Sequence, residues 1–229
     1  MFAKPERLQI YYKRTIVEMN EVGVGSLGIV AIISLFIGAV STLQIAYQLV
    51  SGLVPKTIIG QIVSDTTLLE FAPTISGLVL AGKIGSKMAS ELGTMKVTEQ
   101  IDAMEVMGIN SISYLVLPKI IACLLMFPLL NIFANTLSIS GGFFVGEATG
   151  ILSADQFISG ARSTFKPFTL FFSITKSFVF AFIISSVSCF QGYYTEGGAL
   201  EVGKSSTQAV VYSSLFLLFA DYMLAQLLL

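Results

Sequence analysis

Residues 81–118 read AGKIGSKMASELGTMKVTEQIDAMEVMGINSISYLVLP and form the one long, densely charged run in an otherwise apolar chain. On both sides lie apolar runs of the roughly 20 residues that a helix needs to cross a bilayer. The charged run is therefore expected to connect two membrane helices at a membrane surface, and it decides how the rest of the chain is arranged.

A short helix is predicted inside this run, with Thr98 as its N-terminal cap and Gly108 as its end. Glu99 and Asp102 would lie in its first turns, where carboxylates suit the positive end of the helix dipole. Ile101 falls on a different side from these carboxylates, so the helix would be two-faced, unsuited to lipid and without a core of its own to join. Two interpretations stay open: a docking site for a partner, or a solvated connector.

The composition identifies an integral membrane protein. Of the 229 residues, 54% are hydrophobic and 12% are charged, and the mean hydropathy is +0.82, whereas about a quarter of the residues of a soluble domain are charged. The net charge of -1 gives no reason to expect a nucleic acid partner. Cys123 and Cys189 lie in apolar runs and the chain has no His, which excludes a Cys/His metal site and a disulfide scaffold.

Five membrane-spanning helices are predicted in an all-α, polytopic fold, at about residues 22–50, 67–89, 114–145, 168–190 and 206–229. Residues 51–65 are expected to form a loop, and residues 146–166 a loop or a short surface helix. Residues 4–19 suit a helix in the headgroup zone, or else a frayed leader, which makes residues 1–21 a separate interfacial segment. Pro128 predicts a kink or a re-entrant break in the third span.

The distribution of Lys and Arg orients the chain, because short cytoplasmic loops retain cations. One side would carry most of them: Lys4, Arg7, Lys13, Arg14, Lys83, Lys87, Lys96, Lys119 and Lys204. The other side would carry only Lys56, Arg162 and Lys166 outside the spans. The N-terminus and residues 82–118 are therefore expected in the cytoplasm, and the C-terminus outside.

Three ionisable residues fall within predicted spans: Glu70, Lys176 and Asp221. Each costs about 2.5–3.5 kcal/mol in a membrane even on lenient scales, so each needs a partner or a wet cavity. The predicted topology places all three at similar depth in the outer half of the membrane. They would form either a cavity for the polar head of an amphiphile or a structural ion pair that fixes helix register.

Residues 198–205 match the phosphate-loop pattern G-x-x-x-x-G-K-[ST] through Gly198, Gly203, Lys204 and Ser205. A phosphate loop requires a buried strand before it and a nucleotide-binding domain around it, whereas this segment leads directly into a predicted span. Nucleotide binding is therefore not expected here. The sequence also has no evident catalytic arrangement and implies no cofactor, so the chain is interpreted as a non-catalytic subunit.

The charged run resembles the most specific motif of the MlaE family, the permease subunits of ABC-type lipid transporters that act with MCE-domain proteins. The resemblance covers residues 22–229, and its core is ELGTMKVTEQ with the Met/Gly step and closing Pro that follow it. LLEFAP at residues 68–73, TKSFVFA at 175–181 and ADYMLA at 220–225 also resemble the family. In one departure, Leu69 stands where relatives often carry Arg.

The resemblance implies a homodimer of five-span subunits in a bacterial inner membrane, or in an organelle inner envelope membrane of a eukaryote. It implies a cytoplasmic ABC ATPase, an MCE-domain protein and phospholipid as partners, with a STAS-domain protein as a further candidate. It assigns the coupling of the ATPase to residues 90–110, through Glu91, Gly93, Thr98, Glu99, Gln100, Asp102, Glu105 and Gly108. It assigns substrate binding to Glu70, Lys176 and Asp221.

The expected function is that of a permease that moves phospholipid between the inner membrane and an MCE partner, driven by a separate ATPase. Lys176 would meet the lipid phosphate, and Glu70 and Asp221 would hold that lysine. One rival is an ion- or proton-coupled secondary transporter in which Glu70 and Asp221 titrate. Another is a membrane scaffold without transport.

Overall fold

The computed structural model describes residues 8–49, 55–163 and 165–228. Within these residues the chain forms helices and no strand. The helices are α1 (Leu8–Val22), α2 (Val24–Gln48), α3 (Thr57–Val97), α4 (Gln100–Val106), α5 (Ile112–Ala148), α6 (Ala154–Ser163), α7 (Pro167–Tyr193) and α8 (Ala199–Leu228).

Five helical stretches of the described chain are long and apolar enough to cross a membrane: Tyr11–Gln48, Thr57–Val97, Ile112–Ala148, Pro167–Tyr193 and Ala199–Leu228. The first of them joins α1 to α2 across Gly23. This confirms the prediction of an all-α polytopic fold with five spans. The orientation of the chain in the membrane stays a prediction.

The loop predicted at residues 51–65 is wrong over most of its length, because α3 begins at Thr57. Residues 51–54 lie outside the described residues. The glycine that suggested a loop, Gly60, is instead buried in the helix, where the backbone of Phe157 on α6 comes close to it. The α6 helix itself confirms the surface-helix alternative for residues 146–166. Pro128 lies inside the continuous helix α5, so the predicted re-entrant break is wrong.

Wide, π-type turns interrupt the regular α-helix at Thr67–Ile75, Ala81–Gly85 and Ile112–Val116. Pro73 lies inside the first of them, where it has no N–H to donate and its ring would clash with a regular preceding turn. The hydroxyl of Ser76, the residue after this segment, donates to the Ala72 carbonyl within it. Such turns often occur at functional sites, and the first one carries Glu70.

The described residues divide into two compact units. The first unit comprises the described parts of Met1–Ser26, Gly77–Pro128 and Phe178–Leu229, and the second comprises those of Leu27–Ser76 and Leu129–Ser177. The helices α2, α3, α5 and α7 each contribute residues to both units, α1, α4 and α8 belong to the first, and α6 belongs to the second.

In the first unit, side-chain contacts tie α1 to the start of α5. The Tyr11 hydroxyl lies 3.0 Å from the Ser113 hydroxyl, and the Arg14 guanidinium lies 4.0 Å from the centre of the Tyr114 ring. This confirms a helix over most of residues 4–19, although residues 4–7, with Lys4 and Arg7, lie outside the described residues. Its location in the headgroup zone stays a prediction.

In the second unit, α6 packs backbone to backbone against the beginning of α3. A methyl group added at Gly160 would lie 2.0 Å from the Thr57 carbonyl oxygen, and one added at Gly60 would lie 2.6 Å from the Phe157 carbonyl oxygen. A small core that includes Val63 and Phe157 fills the remaining space. The two glycines therefore set how closely these helices approach, as small residues do in membrane proteins.

We expect Gly160→Ala to destabilise the protein by about 1–3 kcal/mol, the usual cost of overpacking, because the new methyl group must push α6 away from Thr57. Gly28→Ala is the matched control, since nothing lies within 4 Å of a methyl group there and Ala favours a helix over Gly. Thermal unfolding in detergent measures both variants. Equal melting temperatures for the two would contradict the close approach.

Candidate functional site

The side chains of Lys176 on α7 and Glu70 on α3 meet inside the second unit. The Lys176 ammonium nitrogen lies 2.8 Å from Glu70 Oε2 and donates a second hydrogen bond, of 2.9 Å, to the Leu69 carbonyl. The lysine side chain is fully buried, and its nitrogen lies 5.0 Å from the centre of the Phe172 ring. Such an ammonium group requires this kind of compensation, because a buried charge without partners is very costly.

The wide turn around Pro73 helps to build this ion pair. In a regular helix the Leu69 carbonyl would accept a hydrogen bond from the residue four positions later, which is Pro73 and has no N–H. The Lys176 ammonium group donates a hydrogen bond to this carbonyl. Thr74 Oγ1 lies 3.5 Å from Glu70 Oε2, and 42% of the Glu70 side chain is exposed. The carboxylate is thus held on one side and open on another.

The structure therefore brings together two of the three predicted substrate-binding residues. Asp221 lies on α8 in the first unit, where it is half-buried. Its grouping with Glu70 and Lys176 stays a prediction.

The predicted cap of α4 is wrong. Thr98 ends α3, because its hydroxyl donates to the Thr94 carbonyl at 2.8 Å, and α4 begins at Gln100 without a side-chain cap. Glu99 makes the turn between the two helices with φ of 59°, a left-handed conformation that few non-glycine residues adopt. Gly108, with φ of 79°, ends the helix as predicted.

The α4 helix has one buried and one exposed apolar side. Ile101 is fully buried, so the expectation that this helix joins no core is wrong. Val106 and Met107 are 89% and 68% exposed, which leaves two apolar side chains at the tip of the connection. Exposed apolar groups next to charged ones are typical of interaction surfaces.

Within the first unit, a hydrogen-bond network joins α4 to the residue before α5 and to the end of α7. Glu105 Oε1 accepts hydrogen bonds from the Ser111 hydroxyl at 2.8 Å and the Tyr193 hydroxyl at 2.9 Å. These two donors favour the carboxylate, so they hold the pKa of Glu105 below its ordinary value. Sequence reasoning missed this network because Ser111 and Tyr193 carry no motif and lie far apart in the chain.

Most of the predicted coupling residues are accessible. The exposed ones are Glu91, Thr98, Glu99, Gln100, Glu105 and Gly108. Asp102 is half-buried and forms an ion pair of 2.6 Å with Lys96. Gly93 is buried, and a methyl group there would lie 3.1 Å from the Thr195 hydroxyl, so this glycine supports the surface from inside rather than forming it.

Glu91 takes part in an ion cluster that the sequence did not predict. The buried ammonium group of Lys119 on α5 lies 2.8 Å from a Glu91 oxygen and 2.7 Å from a Glu18 oxygen on α1. This ion cluster joins three helices, because it fixes α1 and α5 to the part of α3 that contains Glu91. The predicted topology places this part of α3 towards the cytoplasm.

The phosphate-loop match has the wrong geometry. Gly203, Lys204 and Ser205 lie inside helix α8 rather than in a loop, and Lys204 pairs with Glu201 at 2.6 Å. The Ser205 hydroxyl donates to the Gln191 carbonyl at 2.8 Å. These residues therefore do not form the backbone cradle that binds phosphates.

A multi-pass helical bundle with an ion pair inside its spans and a charged connection at one end is typical of a membrane transport subunit. The family model described as permease MlaE matches residues 15–227. The chain belongs to this permease family.

Several named proteins are similar to this chain over nearly its whole length. A probable ABC transporter permease protein of Rickettsia bellii is 35% identical over 96% of this chain and 85% of its own length. One of Synechocystis is 35% identical over 96% of this chain and 83% of its own length. The chloroplastic protein TRIGALACTOSYLDIACYLGLYCEROL 1 of Arabidopsis thaliana is 34% identical over 95% of this chain and 62% of its own length.

We expect the Glu105 network to stabilise α4 in a pH-dependent way. Because the pKa of Glu105 is lowered, its contribution to stability is present above the ordinary glutamate pKa and disappears as the pH falls through the lowered value. The melting temperature of Tyr193→Phe should therefore lie below that of the wild type at pH 7, and the gap should narrow below about pH 4.

Tyr194→Phe is the control, since Tyr194 is exposed and lies next to the network in the sequence. A gap between the wild type and Tyr193→Phe that stays constant from pH 7 to pH 3.5 would contradict the assignment of the effect to the Glu105 carboxylate.

Proposed function

We propose that this chain is the membrane-spanning permease subunit of an ABC-type phospholipid transporter. The observation that carries the proposal is the buried pair of Lys176 and Glu70 in the spans of an MlaE-family permease. The relatives are named probable ABC transporter permeases, and the name of the Arabidopsis relative contains that of a diacylglycerol glycolipid, which supports a lipid as the substrate class.

In this proposal Lys176 binds the phosphate group of the lipid. A phosphate can replace the Glu70 carboxylate as the acceptor, because both are anions that form short, charge-assisted hydrogen bonds with an ammonium group. The partial exposure of Glu70 allows its side chain to give way without leaving a charge buried. We assign Asp221 to the same substrate on the basis of its position in the family motif.

The energy would come from ATP bound by a separate cytoplasmic subunit. We propose that this ATPase docks on α4 and the adjoining residues 90–110, with Val106 and Met107 as apolar anchors and Glu99 and Gln100 as polar contacts. The network of Glu105 would then transmit a movement of α4 to α5 and α7. Apolar anchors surrounded by polar groups are the usual composition of a protein interface.

The complete transporter in this proposal is a homodimer in a bacterial inner membrane or an organelle envelope membrane, with an MCE-domain protein on the outer side. A STAS-domain protein is a further candidate partner. These assignments rest on the resemblance of the residue motifs to the MlaE family and on the membership of the chain in it.

Lys176→Ala should reduce ATP-dependent phospholipid transfer in reconstituted vesicles by at least about tenfold, the effect of losing a hydrogen bond to a charged group worth ~1.5–3 kcal/mol. The complex with the ATPase should still assemble, because α4 is unchanged. Lys166→Ala removes the same charge from an exposed site and should transfer lipid normally.

Normal transfer by Lys176→Ala would remove this lysine from the mechanism. Transfer that stops when a protonophore dissipates the proton gradient but continues without ATP would instead identify the secondary transporter that the titratable residues in the spans also allow.

Charge reversal at the α4 surface should uncouple the ATPase. In Glu99→Lys with Asp102→Lys, we expect the stimulation of ATP hydrolysis by the permease to fall at least about fivefold, because rim charges alter association and like charges oppose it. Glu196→Lys is the control, since it reverses an exposed carboxylate in the segment between α7 and α8.

A charge swap separates docking from local stability. Asp102→Lys with Lys96→Asp restores the internal ion pair but leaves the surface charge rearranged. If the swap recovers full stimulation, Asp102 acts only within the chain and its assignment to docking is wrong.

A further inference from the structure

A cleft of about 490 Å³ opens on the second unit between α3, α5, α6 and α7. We call it the side cleft. The surface that lines it is mostly apolar and includes the side chains of Leu68, Ile132, Ile139, Leu170 and Ile174. The volume lies within the range of roughly 300–1,000 Å³ that is usual for ligand pockets. Walls of this kind, on helices long enough to cross a membrane, suit a hydrocarbon chain.

A buried polar group lies in the lining of this apolar cleft. Asn135 is 5% exposed, and its amide nitrogen lies 3.1 Å from the Ser173 hydroxyl. Its Oδ1 atom has no hydrogen-bond partner among the described residues, and neither has that of Asn131, whose nitrogen bonds the same serine at 2.9 Å. A buried polar atom without a partner costs about 1–3 kcal/mol, so each instance requires an explanation.

A cation completes the lining of the side cleft. Arg162 belongs to the lining, its side chain is exposed, and no carboxylate of the described residues forms a salt bridge with it. A guanidinium group binds phosphate oxygens with two parallel hydrogen bonds. The side cleft thus combines a group that can bind phosphate, an amide with an unpaired oxygen and a mostly apolar lining.

We infer that the side cleft binds one phospholipid molecule of the surrounding membrane, at a position separate from the pair of Lys176 and Glu70. Its phosphate contacts Arg162, one acyl chain lies between the aliphatic walls, and an ester group between the two lies next to Asn135. The Asn135 amide can serve an ester carbonyl because rotation by 180° exchanges its oxygen and nitrogen, after which Ser173 donates to the oxygen and the nitrogen faces the ligand.

The chemistry favours a phospholipid over a free fatty acid. A fatty acid carries its only polar group at one end, so it offers a single group to Arg162 and Asn135. A phospholipid carries a phosphate and an ester a few bonds apart, so it can satisfy both while its chain occupies the cleft.

The test uses the purified full chain in mild detergent and a phosphatidylglycerol with a photoactivatable diazirine in one acyl chain. After irradiation, mass spectrometry should find the label in residues 132–140 and 170–174. Arg162→Gln should reduce this labelling at least about fivefold through loss of a charge-assisted contact. Lys166→Gln removes a neighbouring exposed cation outside the lining and should not reduce it.

A second pair of variants tests whether the acyl chain occupies the side cleft. Thr136→Trp places a large side chain at an exposed position in the lining and should block labelling, whereas Phe133→Trp enlarges an exposed side chain outside the lining of the same helix and should leave labelling intact. Because the readout is binding to this chain alone, a failure of the transport proposal would not affect it.

Equal labelling in Arg162→Gln and Lys166→Gln would overturn the inference, as would labelling that Thr136→Trp leaves unchanged. Competition by unlabelled palmitate as strong as that by unlabelled phosphatidylglycerol would also overturn it, because a fatty acid lacks the phosphate and ester that the site is inferred to recognise.

Discussion

The buried ammonium group of Lys176 is the strongest single constraint on the second unit. Transfer of such a charge out of water costs several kcal/mol even after relaxation, and the chain offsets this cost with the Glu70 carboxylate and the Leu69 carbonyl. Both acceptors lie in the wide turn that contains Pro73. The proline, the local widening of α3 and the register of α7 against α3 therefore belong to one arrangement, because together they bring these two acceptors to the Lys176 ammonium group.

Backbone contacts hold this arrangement in place. Apolar burial drives helix association weakly when the surroundings are lipid, so close packing of small residues contributes more. In the second unit, a methyl group at Gly141 would lie 2.2 Å from the Leu35 carbonyl oxygen, and one at Gly160 would lie 2.0 Å from that of Thr57. In the first unit, one at Gly192 would lie 2.5 Å from the Ala89 carbonyl oxygen. Each unit thus depends on glycines, although glycine is among the residues that helix propensity disfavours inside a helix.

The sequence predicts what local patterns determine and misses what distant contacts determine. The five spans follow from hydropathy, and the pairing of Glu70 with Lys176 follows from the cost of charges in spans. The helical start of α3 is missed because Gly60 serves contact with Phe157 rather than a loop. The prediction that Thr98 caps α4 is wrong because its hydroxyl bonds the preceding turn of α3. The local sequence does not show whether this threonine ends one helix or begins the next.

The contacts of α4 bear on whether it is a docking site or a solvated connector. A solvated connector needs only polar side chains and enough length, and the Glu105 network with the buried Ile101 would make it a well-ordered one. Order alone does not explain why Val106 and Met107 are 89% and 68% exposed in this connection. Exposure of large apolar groups to water is unfavourable by about 1.5–3 kcal/mol for each side chain that could be buried. Two of them on an otherwise polar turn favour the proposed docking surface over a solvated connector.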